Sequence, residues 1–294
     1  MAAEEIARQM AAAEFDGAVQ LAQTRYRMQL VERWRIPEGA RVLEIACGQG
    51  DMTAVLAHAV GPSGHVTAID IADPAYGAPV TLGASAAHLL SSSVGSQIDF
   101  HFGFDLLEPA VSFPDDAFDD IVFSHGAWYF ADLDQLGATL ARVKPWAQRL
   151  CFAEWDLEPA SFDQVAHLLA VLIQGQIELY KTGSEANVRT PFSKARFLAL
   201  LDETGWRVLE EFAGDTRELQ DADWEIDACL NHALPEARTL SITPKALSLI
   251  ASQADILSSL TAKSKPRPLP SYGLTADRVQ PASPLGTQLY SSTG

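Results

Sequence analysis

Between residues 38 and 156, short apolar runs alternate with segments in which apolar residues recur at helical spacing. The runs have the length and composition of buried strands. Because strand and helix succeed each other, we predict an α/β fold with a doubly wound, mainly parallel sheet. The predicted strands are 41–46, 65–69, 98–103, 119–124 and 149–154, and the predicted helices between them are 52–60, 74–93 and 133–143.

Different patterns flank this alternating region. Residues 4–34 have helical spacing with few helix breakers. Residues 162–180 are apolar nearly all round a helix, which is typical of a buried helix, a lid or an oligomer contact such as that of a homodimer. Ser193 precedes a further helical pattern as an N-cap. The later predicted elements are a helix at 193–204, a strand at 206–212 and a helical segment at 225–232.

These patterns divide the chain into five predicted parts. From residue 263 onward the chain is rich in Pro, Ser and Gly, which predicts an extended or partly disordered tail. The parts are an N-terminal helical lid at 1–36, a binding core at 37–156, a helical insertion that forms a lid or an interface at 157–192, a C-terminal part of the core at 193–262 and the tail at 263–294.

Composition restricts the partners and the compartment. The formal net charge is −17, which argues against an anionic membrane surface and against nucleic acid, since phosphate binding needs a clustered basic face. The three cysteines, Cys47, Cys151 and Cys229, lack zinc-ligand spacing, so we predict no metal and a reducing compartment. The N-terminus starts with acidic residues, and no apolar stretch is long enough to cross a bilayer. We therefore predict a soluble, cytoplasmic protein.

A glycine-rich turn follows the first predicted strand. Gly48 and Gly50 precede a helix, so backbone N–H groups and the helix N-terminus can face a ligand. The alternative is a tight turn without a ligand. Thr53 stands where a dinucleotide fingerprint has its third glycine, which weakens a nicotinamide interpretation.

Two acidic residues accompany this turn. Glu44 lies inside the first strand, where a buried carboxylate needs partners. Suitable partners for Glu44 are backbone N–H groups of the glycine turn or the ammonium group of an amino-acid-like ligand. The alternative is that Glu44 has a purely structural role. Asp70 ends the second strand, where a carboxylate can accept both hydroxyls of a ribose, although a solvated strand-end acid is also consistent.

Five motifs in order resemble the class I S-adenosylmethionine (SAM)-dependent methyltransferase family, which has a Rossmann-like sheet with helical lid additions. The resemblance covers about residues 38–156, and again 193–213. The motifs are V-L-E-I-A-C-G-Q-G-D (42–51), V-T-A-I-D-I (66–71), G-F-D-L-L (103–107), F-D-D-I-V-F-S-H (118–125) and L-A-R-V-K-P (140–145).

The resemblance implies SAM as the cofactor and a set of binding residues. The glycine turn would hold the methionine part of SAM, Asp70 the ribose, and Asp105 the adenine amino group. The implied cofactor-binding residues are Glu44, Cys47, Gly48, Gly50, Asp70, Ile71, Phe104, Asp105, Ser124 and His125. Residues 73–93 form a longer segment than the commonest members have, which affects the predicted geometry beside the adenine.

His125 and Tyr129 are the predicted catalytic residues. His125 follows a strand end expected to border the cofactor, and a histidine base suits an alcohol or phenol acceptor. A loop histidine bonded to backbone is the alternative. Tyr129, between Trp128 and Phe130, would line the acceptor pocket or seal the core. Residues 26–28 are candidates to reach over the cofactor.

The predicted function is methyl transfer to a small, fairly apolar acceptor, such as a specialised metabolite. Two alternatives stay open at this point. One is a SAM-binding protein of the same fold that catalyses a reaction other than methylation. The other is a nicotinamide-dependent oxidoreductase, against which Thr53 and Glu44 argue.

Overall fold

A computed structural model describes residues 3–184 and 186–279, and a seven-stranded sheet forms their centre. The strand order is β3-β2-β1-β4-β5-β7-β6. Strands β1 to β5 are parallel, and β7 runs antiparallel between β5 and β6. The strands are β1 (Arg41–Ile45), β2 (His65–Ile69), β3 (Ile98–His101), β4 (Asp120–Ser124), β5 (Arg149–Trp155), β6 (Trp206–Gly214) and β7 (Ser271–Arg278). The prediction of an α/β, mainly parallel sheet is confirmed.

Ten α-helices accompany the sheet in the part of the chain that the structure describes. Helix α3 packs against β1 and β2, while α5 and α7 contact each other and α7 also packs on β6. The central strands are buried on both faces because helices cover both sides. The helices are α1 (Ala3–Ala7), α2 (Gly17–Trp34), α3 (Asp51–Val60), α4 (Leu82–Leu90), α5 (Leu133–Val143), α6 (Val165–Glu178), α7 (Lys194–Glu203), α8 (Asp221–Asp227), α9 (Leu234–Ala237) and α10 (Pro244–Lys263).

The N-terminal region is not one helix. It contains α1, a 3₁₀ turn at Ala11–Glu14 and α2, with a break before Gly17. The Asp16 side chain accepts hydrogen bonds from the backbone N–H groups of Ala18 and Val19, which caps α2. Ser193 caps α7 in the same way, as predicted.

The predicted helix at 74–93 is wrong in its first half. Helix α4 begins only at Leu82, with Thr81 as its N-cap. Pro79 has no N–H to donate and lies in the preceding loop. That loop packs onto the glycine turn, where the Gln49 side chain donates a hydrogen bond to the Val80 carbonyl at 2.6 Å.

The predicted tail contains the seventh strand: residues 271–278 are extended, as predicted, but they belong to the sheet and not to a tail. Strand β7 inserts between two strands, and residues 271–276 are buried. Its short sequence has no apolar run, but Tyr272, Leu274 and Ala276 alternate along it and are buried in the main hydrophobic core. Residues 280–294 of the predicted tail lie outside the described residues.

The segment 193–262 was predicted as part of the core, and this is wrong for its second half. Helices α8 and α10 pack on α6, and together with α9 they form a second, smaller hydrophobic cluster. The sequence patterns did not predict the long helix α10. The segment predicted at 225–232 is a continuous run of α8 and a π-helical turn, Ala228–Ala233.

Candidate cofactor and acceptor site

The site lies at the carboxyl ends of β1 and β4, where the chain crosses from one side of the sheet to the other. Open parallel sheets bind ligands in the crevice at this point. Two non-glycine residues adopt left-handed backbone conformations there: Ala46 after β1, with φ 58°, and His125 after β4, with φ 52°. The two turns touch, since a Cβ on Gly126 would lie 2.6 Å from the Ala46 Cβ. Such backbone conformations concentrate at functional sites.

The glycine turn borders open space. Gly48 has φ 54° and Gly50 has φ 90°, which favours glycine at both positions. A Cβ added to Gly48 would meet no atom within 4 Å, so one side of the turn is free for a ligand. Helix α3 begins at Asp51, directly after the turn, and its N-terminal N–H groups face the same edge of the sheet. The turn therefore fits the methionine part of SAM.

Asp70 ties the end of β2 to the glycine turn. Its Oδ2 accepts the N–H of Gly48 at 2.9 Å, and its Oδ1 accepts the N–H of Ala72 at 2.9 Å. Each carboxylate oxygen has a second lone pair for a ribose hydroxyl. Next to it, the Ile71 side chain is 62% exposed, which leaves an apolar surface for an adenine ring. Both assignments stay predictions that the geometry allows.

Glu44 has a different partner from the two that sequence analysis proposed. Its Oε2 accepts the Thr53 hydroxyl at 2.6 Å, and the side chain is 2% exposed. Burial raises the pKa of Glu44 to about 8, against the lowering effect of the Thr53 hydrogen bond. The sequence pattern marks Thr53 only as the residue that replaces a third glycine. In the structure its hydroxyl donates to the Glu44 carboxyl group.

The remaining predicted cofactor residues lie at the same edge. Phe104 donates its N–H to the Asp70 carbonyl, and its ring contacts those of His101 and Phe113. Asp105 caps its own turn by accepting the Leu107 N–H at 2.8 Å. Cys47 is buried under the glycine turn, where burial raises the pKa of its thiol. Ser124 is half-buried at the end of β4.

His125 belongs to a polar cluster that includes three other side chains. Its Nε2 lies 2.7 Å from the hydroxyl oxygen of Tyr26, which in turn is 2.8 Å from Oγ of Ser271. Its Nδ1 lies 3.4 Å from Oε1 of Glu154, an ion-pair distance rather than a full hydrogen bond. The Trp155 ring packs on the imidazole with centroids 4.9 Å apart. His125 is therefore held by side chains, and not only by backbone.

The sequence patterns did not indicate Glu154 or Ser271 as site residues, and they indicated no chemical role for Tyr26. Tyr26 is separated from His125 by 99 residues and from Ser271 by 245. Glu154 repeats the pattern of Glu44, an acid near the end of an apolar strand, and this signal could have identified it. Burial raises the pKa of the Tyr26 hydroxyl, so the phenol is its stable form.

Tyr129 faces a second group of polar side chains. Its ring is 43% exposed, but burial of the hydroxyl and nearby acids such as Glu225 and Asp221 raise its pKa. The Gln23 amide donates to Asp221 at 3.0 Å, the Gln174 amide donates to Glu225 at 2.8 Å, and burial raises the pKa of both acids.

Helix α2 crosses this edge of the sheet. Three side chains spaced three residues apart reach three different elements: Gln20 donates to Asp51 at the start of α3, Gln23 donates to Asp221 of α8, and Tyr26 contacts His125. Residues at i, i+3 and i+6 share a helix face. One face of α2 therefore covers both the glycine turn and the His125 cluster.

Two absences apply to residues 3–184 and 186–279. No group of three or more His, Cys, Asp or Glu side chains is arranged there to hold a metal ion. No helix within those limits is both long and apolar enough to cross a membrane.

Comparison with known proteins agrees with this fold. Residues 19–170, just over half of the chain, match the model of the ubiE/COQ5 methyltransferase family. A methyltransferase of Diaporthe leptostromiformis, phomM', is 33% identical over 159 residues, which cover 47% of this chain and 41% of that protein. A demethylmenaquinone methyltransferase of Bacillus licheniformis is 29% identical over 145 residues, covering 49% of this chain and 57% of that protein. The match thus spans about half the length of these curated relatives.

A solved structure extends the similarity to nearly the whole chain. The cyclopropane-fatty-acyl-phospholipid synthase-like protein from Lactobacillus casei is 32% identical, with a TM-score of 0.79, and the match covers 94% of this chain and 98% of that one. The fold is that of the class I SAM-dependent methyltransferases. Within that class, the chain belongs to the ubiE/COQ5 methyltransferase family. This assignment replaces the nicotinamide-dependent alternative.

Proposed function

We propose that this chain transfers the methyl group of SAM to a small, fairly apolar acceptor whose proton is taken up at His125. The observation that carries the proposal is the position of His125 at the carboxyl end of β4, with Nε2 2.7 Å from the Tyr26 hydroxyl. A histidine so held is available as a base beside the glycine turn.

The residues present fit SAM. Gly48 and Gly50 would lie along its methionine part, Asp70 would accept the ribose hydroxyls, and Ile71 would contact the adenine. When bound, SAM supplies a methyl group that its positive sulfonium already activates. The protein's tasks are then to orient the acceptor, to exclude water and to remove a proton.

The proton path runs through Tyr26. The Tyr26 hydroxyl gives its proton to Nε2 of His125 and receives the proton of the acceptor, so Tyr26 ends unchanged and the positive charge rests on His125. The raised pKa of Tyr26 supports this path, because a phenolate would not persist at this buried position. Trp155 and Glu154 border the imidazolium that forms.

The acceptor would lie between Tyr26, Tyr129 and the loop that carries Tyr76. Tyr76 and Tyr129 are close enough for electrostatic interaction, so the loop after β2 reaches across towards the turn after β4. Three tyrosine rings would then border the acceptor, which supports a fairly apolar one. The buried acids Asp221 and Glu225 would orient a hydroxyl or amine on it.

Incubation with methyl-labelled SAM tests the proposal. A panel of phenols, quinols, hydroxy acids and amines is assayed for label transfer by the parent protein, by His125→Gln and by the matched control His232→Gln, whose side chain is exposed. We expect label in an apolar acceptor with the parent and the control, and a strongly reduced rate with His125→Gln. SAM binding with no label transfer to any acceptor would instead favour a reaction other than methylation.

A further inference from the structure

Glu154 is a buried carboxylate that two backbone groups hold in place. It lies near the end of β5 and is 1% exposed. Its Oε2 accepts the N–H of Ala127 at 3.0 Å, and its Oε1 accepts the N–H of Trp155 at 3.0 Å. Hydrogen bonds from backbone N–H groups favour the charged form of a carboxyl group and fix its orientation.

The carboxylate faces one nitrogen of His125. Oε1 of Glu154 lies 3.4 Å from Nδ1, which has no hydrogen-bond partner in the described part of the chain. A lone pair on Nδ1 would be repelled by the carboxylate, whereas an N–H would be attracted to it. The imidazole cannot easily turn away, because the Trp155 and Tyr26 rings pack on it. The backbone N–H of His125 donates to the Ala153 carbonyl, which fixes the main chain at this position.

We propose that Glu154 is a positioning residue that keeps the proton of neutral His125 on Nδ1 and leaves Nε2 free to accept a proton through Tyr26. This inference rests on the proposed function, in which Nε2 is the base. Glu154 itself touches neither SAM nor the acceptor in this scheme. Its negative charge also stabilises the imidazolium that forms when Nε2 is protonated.

The cluster has two hydrogen-bond arrangements that differ by one proton. With neutral His125, the Ser271 hydroxyl donates to Tyr26 and the Tyr26 hydroxyl donates to Nε2. With protonated His125, Nε2 donates to the Tyr26 oxygen and the Tyr26 hydroxyl donates to Ser271. The distances of 2.7 Å and 2.8 Å suit both arrangements, and Nδ1 keeps its proton in each.

Other charged groups near His125 belong to two more elements. Asp221 of α8 interacts with His125, and Arg27 of α2 acts on both Asp221 and Tyr26. These groups do not select between the two nitrogens of His125 as Glu154 does, since only Glu154 lies within ion-pair distance of Nδ1 among the described residues.

Nitrogen NMR of the protein with ¹⁵N-labelled histidine tests this inference without cofactor or acceptor. The His125 signals are assigned by their loss in His125→Gln. We expect Nδ1 to carry the proton in the neutral parent. In Glu154→Gln we expect the proton of the neutral imidazole to move to Nε2. Glu158→Gln, which changes an exposed acid beside the same strand, should match the parent.

The possible outcomes separate this inference from the proposed function. A neutral parent with the proton on Nε2 overturns the inference even if Glu154→Gln fails to fold, and so does a Glu154→Gln spectrum identical to the parent. If Nδ1 is protonated in a Glu154-dependent way but no acceptor is ever methylated, the positioning role stands and the function fails. If both hold, Glu154→Gln should lower kcat about 10-fold or more with little change in the KM for SAM.

Discussion

The two halves of the site are built in different ways. On the cofactor side, β1, β2 and their loops supply residues that are close in sequence, and Asp70 joins the loops by accepting the N–H groups of Gly48 and Ala72. On the acceptor side, side chains from α2, β4, β5 and β7 meet at His125.

In the proposed function, this difference separates the recognition of SAM from the removal of the acceptor's proton. Backbone N–H groups and glycine conformations define the cofactor side, so its geometry depends on a short segment of chain. The acceptor side depends on side chains that only the complete sheet brings together. Changes on one side should therefore leave the other largely intact, and the following variants test that independence.

The largest expected effect is that of His125→Gln on turnover. Loss of a base in this position costs about 10²–10⁴-fold in rate. SAM affinity, measured by calorimetry, should stay within about twofold of the parent, because the cofactor side is untouched. Rates equal to the parent would assign His125 a structural role only.

Asp70→Ala should have the opposite profile. It removes a charged acceptor from the ribose and from the Gly48 N–H, and a hydrogen bond to a charged group contributes about 1.5–3 kcal/mol, so SAM should bind about 10- to 100-fold more weakly. Calorimetry measures this, with Asp99→Ala as a control because Asp99 is an exposed acid on β3. Unchanged affinity would contradict the ribose assignment.

Gly214→Ala places a methyl group in the acceptor side. A Cβ there would lie 2.2 Å from Oγ of Ser271 and 3.1 Å from the Tyr26 hydroxyl, so these groups must move. We expect a loss of about 1–3 kcal/mol in stability and slower turnover with unchanged SAM affinity. Thermal unfolding and kinetics measure both, and Gly17→Ala, whose Cβ meets no atom within 4 Å, is the control.

Glu44→Gln should change the pH dependence of stability on the cofactor side. The pKa of Glu44 is about 8 in the folded protein, against an ordinary value of 4.5, so the folded state binds this proton more tightly. Its contribution to stability is complete below pH 4.5 and is lost as the pH rises towards 8, by at most about 1.4 kcal/mol per pH unit.

Thermal unfolding between pH 6 and 9, without cofactor, measures this effect. The parent should lose stability faster than Glu44→Gln as the pH rises, because glutamine can still accept the Thr53 hydroxyl and carries no charge. Glu32→Gln, an exposed acid on α2, should follow the parent. Parallel curves for all three proteins would show that Glu44 does not titrate in this range.

Sequence patterns predicted the first five strands within a few residues and the position of the glycine turn after β1. They succeeded because both signals are local: apolar runs mark strands that are buried on both faces, and glycines with φ above zero mark the turn. They failed at β7, whose sequence S-Y-G-L-T-A-D-R has no apolar run and follows a Pro-rich segment.

By itself, the sequence determined the α/β class, the resemblance to the SAM-dependent methyltransferase family and the glycine turn after β1, because short contiguous segments encode them. Only the tertiary structure decided that Tyr26, Glu154 and Ser271 surround His125. Glu154 is 29 residues from His125 in the sequence and Tyr26 is 99 residues from it. Ser271 contacts Tyr26 across 245 residues, and it lies there because β7 is paired between β5 and β6. Such contacts arise from strand order, which no local pattern contains.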